Sequence, residues 1–173
     1  MNKGMTVSAT ASAQDHNARD AFIAQFEANY AEYVATVSGC SDEEWTRICP
    51  GDGRTVGVVA HHMANVQAGL AGLIEAVVAG KPANAPASLA DVDQMNADHA
   101  DNHAGVSKEE VLDALSAGGD AFLTQLRSLS DGDLDRSVGQ FVGNETTIGE
   151  VVQYAVIAHQ REHLASIRAA LAR

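Results

Sequence analysis

Two histidine pairs spaced by four residues, His99/His103 and His159/His163, and one adjacent pair, His61/His62, are the features of this sequence best suited to chemistry. Residues i and i+4 of a helix lie on one face, so a His-x-x-x-His pair can offer two imidazoles to one ion, with a third ligand supplied by another helix. For His159/His163 the face can be read directly. Val152, Val156, His159, His163, Ile167 and Ala170 advance in steps of four and three along one apolar stripe. Imidazoles aimed into an apolar core need partners; a metal ion would serve both, and carbonyls or carboxylates are the alternative.

The third ligand belongs on the apolar face of the other long helix. Val59, Val66, Leu70, Leu73 and Val77 form that stripe, and His62 joins it three residues after Val59 and four before Val66. His61 is displaced by about 100° and reads as a rim residue, an outer contact of the site or an exposed side chain. The periodicity predicts a metal site of His62, His159 and His163, with His61 as the alternative to His62. His99/His103 sits in the polar run Asp98-His-Ala-Asp-Asn-His103 and is expected on a solvated face. Tyr154 is read as a core or boundary residue that would otherwise border the site. The Asp91/Asp93 and Asp131/Asp133/Asp135 clusters read as helix caps and soluble surface. The sequence carries no Gly-x-Ser-x-Gly, P-loop or dinucleotide fingerprint.

Helices must position these side chains. Phe22, Phe26, Tyr30, Tyr33 and Val37 mark a helix from about Asp15 to Ser38, stopped by Gly39. Ser41 with Glu44 has capping-box form and starts a short turn before the Pro50-Gly-Asp-Gly53 loop. Thr55 caps a helix to Ala79, stopped by Gly80 and Pro82, and Ser88 with Asp91 starts a short helix carrying Met95, Asn96, His99 and His103. Ser107 with Glu110 caps a helix through Leu129, where Gly118-Gly119 either weaken it or admit close contact. Thr147 with Glu150 caps the last helix, and no strand pattern competes with these segments. Ser41-Asp-Glu-Glu-Trp45 before Thr55-Val-Gly57 is echoed by Ser130-Asp-Gly-Asp-Leu134 before Thr147-Ile-Gly149, so each half reads as a helical hairpin. The link between the halves is too long for a simple antiparallel turn. The fold expected is therefore an all-α four-helix bundle with one long crossover connection.

Composition sets the partners. A chain of 173 residues suits one domain, expected over residues 15–173 behind a flexible N-terminus at residues 1–14. The formal charge of −12 repels phosphate backbones and anionic membranes, so neither nucleic acid nor membrane is an expected partner. The first residues lack the form of a signal peptide, which with Cys40 and Cys49 read as two reduced thiols gives a cytoplasmic expectation. A small-molecule substrate or thiol is the expected partner, and self-association as a homodimer stays open.

Thr55-Val-Gly-Val-Val-Ala-His-His62 resembles the start of the second helix in the DinB (DNA-damage-inducible) superfamily, where a His stands seven residues after the Thr or Ser. His159-Gln-Arg-Glu-His163-Leu-Ala-Ser-Ile167 resembles that family's terminal His-x-x-x-His helix, and Met95-Asn-Ala-Asp-His99 a short segment of a smaller branch. The resemblance runs from about residue 20 to the C-terminus. It implies a DinB-like bundle whose triad, here His62, His159 and His163, holds a divalent metal, zinc first with nickel or iron as alternatives. It also implies chemistry with a low-molecular-weight thiol such as mycothiol or bacillithiol, as in the family's transferases and isomerases. The maleylpyruvate isomerase branch typically has Glu as the middle ligand and a further C-terminal domain; here that position is His159 and the sequence stops at Arg173. Three neutral imidazoles would leave an ion its full charge and an open position. The function expected is a metal-dependent thiol S-transferase-like enzyme, with a non-catalytic metal-binding or stress-response protein of the same fold as the alternative.

Overall fold

The computed structural model describes residues 8–130 and 132–173, with side chains from Ala18 onward. Its elements begin where the capping chemistry puts them. Ser41 caps α2 (Asp42–Trp45), Thr55 caps α3 (Val56–Val78), Ser88 caps α4 (Leu89–Asn102) and Ser107 caps α5 (Lys108–Ser128). Each side chain accepts the N–H three residues on, and Glu44, Asp91 and Glu110 return the bond to complete a box; a cap of this kind is worth about 0.5–2 kcal/mol. The first helix, α1 (Ser8–Ser38), begins seven residues before the expected Asp15, and residues 1–7 of the expected flexible terminus lie outside the described residues.

Four long helical stretches make the bundle. Two apolar clusters stack along it: Tyr33, Val37, Val59, Met63, Val111, Leu115, Leu164 and Ile167 at one end, and Phe26, Ile74, Phe122, Leu126, Val152 and Ile157 at the other. Going from the first cluster to the second, residue numbers rise in α3 and α5 and fall in α1 and the last helix. So α3 and α5 are parallel, and joining them requires the long connection through α4 that the sequence predicted. The expectation that each half forms a hairpin is corrected, because α1 and α3 both pack on α5 and on the last helix. Gly118 and Gly119 explain part of this pairing. A Cβ on Gly118 would stand 2.6 Å from the Ala64 carbonyl oxygen of α3, and one on Gly119 would stand 2.7 Å from the Tyr30 ring of α1.

Two features depart from the expected all-α bundle. After a 3-10 turn at Asp133–Asp135, β1 (Ser137–Phe141) pairs antiparallel with β2 (Asn144–Thr147) around a bulge between Ser137 and Gly139. Val142 and Gly143 at its tip both have positive φ, 51° and 81°, the signature of a tight hairpin turn. The strands are too short and too exposed to show alternation in sequence. The second feature is the last helix, which is not regular. After the turn α6 (Ile148–Glu150) it winds as a π-helix over Val151–Ala158 before α7 (His159–Leu171). The wider turn matches its buried residues, since Val151 and Val156, and Val152 and Ile157, are pairs five apart. No described helix is long and apolar enough to cross a membrane.

Candidate metal centre

His62 of α3 and His159 and His163 of α7 meet where the two apolar clusters adjoin. His62 and His163 are buried and His159 is half-buried. His159 Nε2 lies 3.1 Å from His62 Nε2 and 3.0 Å from His163 Nε2. One imidazole nitrogen cannot serve both neighbours as an ordinary donor, whereas a cation between them would satisfy all three lone pairs. Nitrogens about 2.0–2.1 Å from one tetrahedral ion sit about 3.4 Å apart, so the cluster is close to that spacing. The rings also meet edge to face, at 72–85°, as ligands radiating from one point do.

The π segment sets the position of α7. The His159 N–H donates to the Tyr154 carbonyl, five residues back, so the register shift ends at the first histidine of the pair. π turns recur at functional sites for this kind of re-aiming.

Asp52, which sequence reasoning treated only as part of a loop, supports the cluster from outside. His163 Nδ1–H donates to the Asp52 carboxylate at 3.0 Å, turning Nε2 toward the other two rings. Arg54 holds Asp52 at 3.1 Å, and the Ser166 hydroxyl donates to the Pro50 carbonyl at 2.8 Å, tying the loop to α7. Burial opposes the Asp52 charge, but the polar groups around it, His163 and Arg54 among them, outweigh it and keep its carboxyl below the usual range. Burial pushes His62 down to about 2 and His163 down to about 4, with neighbouring histidines and Arg54 adding to the effect. His159 is lowered as well, chiefly by burial. All three imidazoles are therefore neutral at physiological pH, the form that binds metal.

The cluster opens into a cavity of about 540 Å³ lined by His62 and His159. Its walls are mostly apolar, including Leu70, Leu73 and Phe141, with Asn65, Asn84 and Asn96 as amide anchors and no Lys, Arg, Asp or Glu. The hairpin missed in the sequence builds one side. Phe141 and Val142 face the cavity, and the Val142 N–H donates to the Pro86 carbonyl at 2.8 Å. Tyr154, expected in the core or at its boundary, is 70% exposed and borders the cavity beside the cluster.

His61 lies half-buried at the rim, one of its expected places, but the His99/His103 pair is not where the sequence put it. All three are half-buried and form a second group, with His61 Nδ1 2.9 Å from His99 Nε2. The solvated-face expectation for His99/His103 is thus corrected: α4 folds back so that its histidines meet α3. Six of the seven histidines in the chain belong to two triads that can each hold an ion, donor atoms in each lying within 4.8 Å of one another. Cys40 and Cys49 are free, as expected, and buried; burial first, then Asp52, pushes the Cys49 thiol up to about 11, which removes it as a nucleophile.

Fold and site define a helical-bundle protein with convergent histidines beside a cavity open to the surface. The chain belongs to the DinB superfamily, whose family model matches residues 25–167. Among solved structures it is similar to the crystal structure of the mycothiol-dependent maleylpyruvate isomerase, with a TM-score of 0.73 and 11% identity over 86% of this chain. The chain spans 60% of the length of that protein, and at this identity the likeness concerns the fold. No curated protein sequence matches it.

Proposed function

We propose that this protein is a divalent-metal-dependent, thiol-using S-transferase-like enzyme in which His62, His159 and His163 hold the ion. The observation that carries the reading is the convergence of three neutral imidazoles at the wall of a cavity large enough for a small-molecule ligand. A sealed cluster would have supported a purely structural role. Zinc suits the donor set, and nickel and iron are compatible with it. When bound, the ion would favour the thiolate form of a thiol at neutral pH and so supply the nucleophile.

The chain's own residues do the rest. His62 and His159 direct the reactive end of the cavity, and Asp52 fixes the orientation of His163. The amides of Asn65, Asn84 and Asn96 can hydrogen-bond the body of a thiol, while Leu70, Leu73 and Phe141 receive an apolar electrophile. With no cationic side chain on the walls, a hydroxyl-rich thiol such as mycothiol fits better than the carboxylate-bearing bacillithiol. A third imidazole at His159, instead of a carboxylate, also leaves more positive charge on the ion. That favours thiolate formation.

The test is transfer of mycothiol to a simple electrophile by zinc-loaded protein. Acceleration that is lost in His159→Ala supports the proposal. No acceleration with either thiol at millimolar concentration would return the protein to the non-catalytic metal-binding alternative.

A further inference from the structure

We propose that His61, His99 and His103 form a second divalent-metal site that clamps α4 onto α3. The three side chains come from two elements, His61 from α3 and the others from α4 and its C-terminal cap. One nitrogen from each lies within 4.8 Å of the others. His103 Nδ1–H donates to the His99 carbonyl at 2.8 Å, which fixes the tautomer and leaves His103 Nε2 with its lone pair free. His99 Nδ1 is buried with no hydrogen-bond partner although Nε2 of the same ring faces His61. Each neutral imidazole brings one donor and one acceptor, and the bonds present do not satisfy them all. An ion taking one lone pair from each ring would satisfy the acceptors.

The site also answers a question of packing. Helix α4 has no buried residue, so apolar burial does little to hold it in place. Yet it supplies Val92, Met95, Asn96 and His99 to the cavity wall. A metal bond from His61 to α4 would fix that wall beside the first triad, whose His62 meets His99 edge to face with ring centres 5.6 Å apart. The two sites differ in preorganisation. The second triad's rings are stacked within 26° of parallel, with centres 4.1–5.1 Å apart, and must rotate to share an ion. It fills after the first.

Native mass spectrometry and zinc titration against a chromophoric chelator test this on the full chain without a polyhistidine tag. The proposal expects two zinc ions per chain, the first bound tighter. His61→Ala, His99→Ala and His103→Ala should each bind one ion with the affinity of the first, and His159→Ala should lose that tight ion alone. Hydrogen exchange across residues 89–102 should slow on addition of the second equivalent and not the first. His61→Ala is the decisive variant, because it leaves the sequence of α4 intact; in it the second-equivalent protection should disappear. One ion per chain in the wild type, or a second ion and α4 protection unchanged in His61→Ala, would overturn the second site. Either result leaves the reading of the first triad standing, since that depends on the tight ion lost in His159→Ala.

Discussion

The Asp52 carboxylate lies 3.0 Å from Nδ1 of His163, so a loop residue decides which nitrogen of a helical histidine faces the cluster. Outer contacts of this kind typically carry about 10- to 100-fold in metal affinity. Asp52→Asn should therefore weaken zinc binding by about that factor while preserving helicity. Chelator competition gives the affinity and circular dichroism the fold; unchanged affinity would mean that His163 is oriented by α7 alone.

Acid should destabilise the metal-free protein. His62 is held down to about 2, far below its ordinary 6.5, so the unfolded chain binds the extra proton and stability falls as pH drops below 6.5. His163, held down to about 4, acts in the same direction until its own folded value is reached. From about pH 7 to about pH 5, His62 alone should cost about 2 kcal/mol. Urea unfolding at the two pH values measures the loss, and it should be smaller in His62→Ala. A profile equally steep in the variant would place the proton uptake elsewhere.

Two glycines inside helices should respond oppositely to a methyl group. Gly118→Ala drives a Cβ to within 2.6 Å of the Ala64 carbonyl oxygen, in backbone that cannot step aside cheaply. It should cost about 1–3 kcal/mol. Gly72 in α3 has open space around it, and Gly72→Ala should gain about 0.5–1 kcal/mol from helix propensity. Thermal melts of the two variants should move in opposite directions.

Much of this arrangement was legible in the residues. Caps at Ser41, Thr55, Ser88, Ser107 and Thr147 mark the element starts because their partners are local, and the stripe through Val59 and Val66 distinguishes the buried His62 from His61. What was missed depends on contacts distant in sequence. Asp52 becomes a partner of His163 only when its loop reaches α7, and His99 meets His61 only when the polar α4 folds back. The π segment before His159 is a change of hydrogen-bond register, which residue types alone do not encode in an apolar run. The hairpin tip at Val142 was hidden because its pairing spans so few residues.

The most direct test of the central claim is the absorption spectrum of cobalt-substituted protein on addition of mycothiol. A thiol bound at the triad should produce a sulfur-to-metal charge-transfer band, and at a pH well below the value of about 8.5 expected for a free thiol. The band should be absent in His159→Ala, and glutathione should give a weaker one if the Asn-lined walls select the thiol. No new band with any thiol at millimolar concentration, in protein shown to hold cobalt at His62, His159 and His163, would contradict the account.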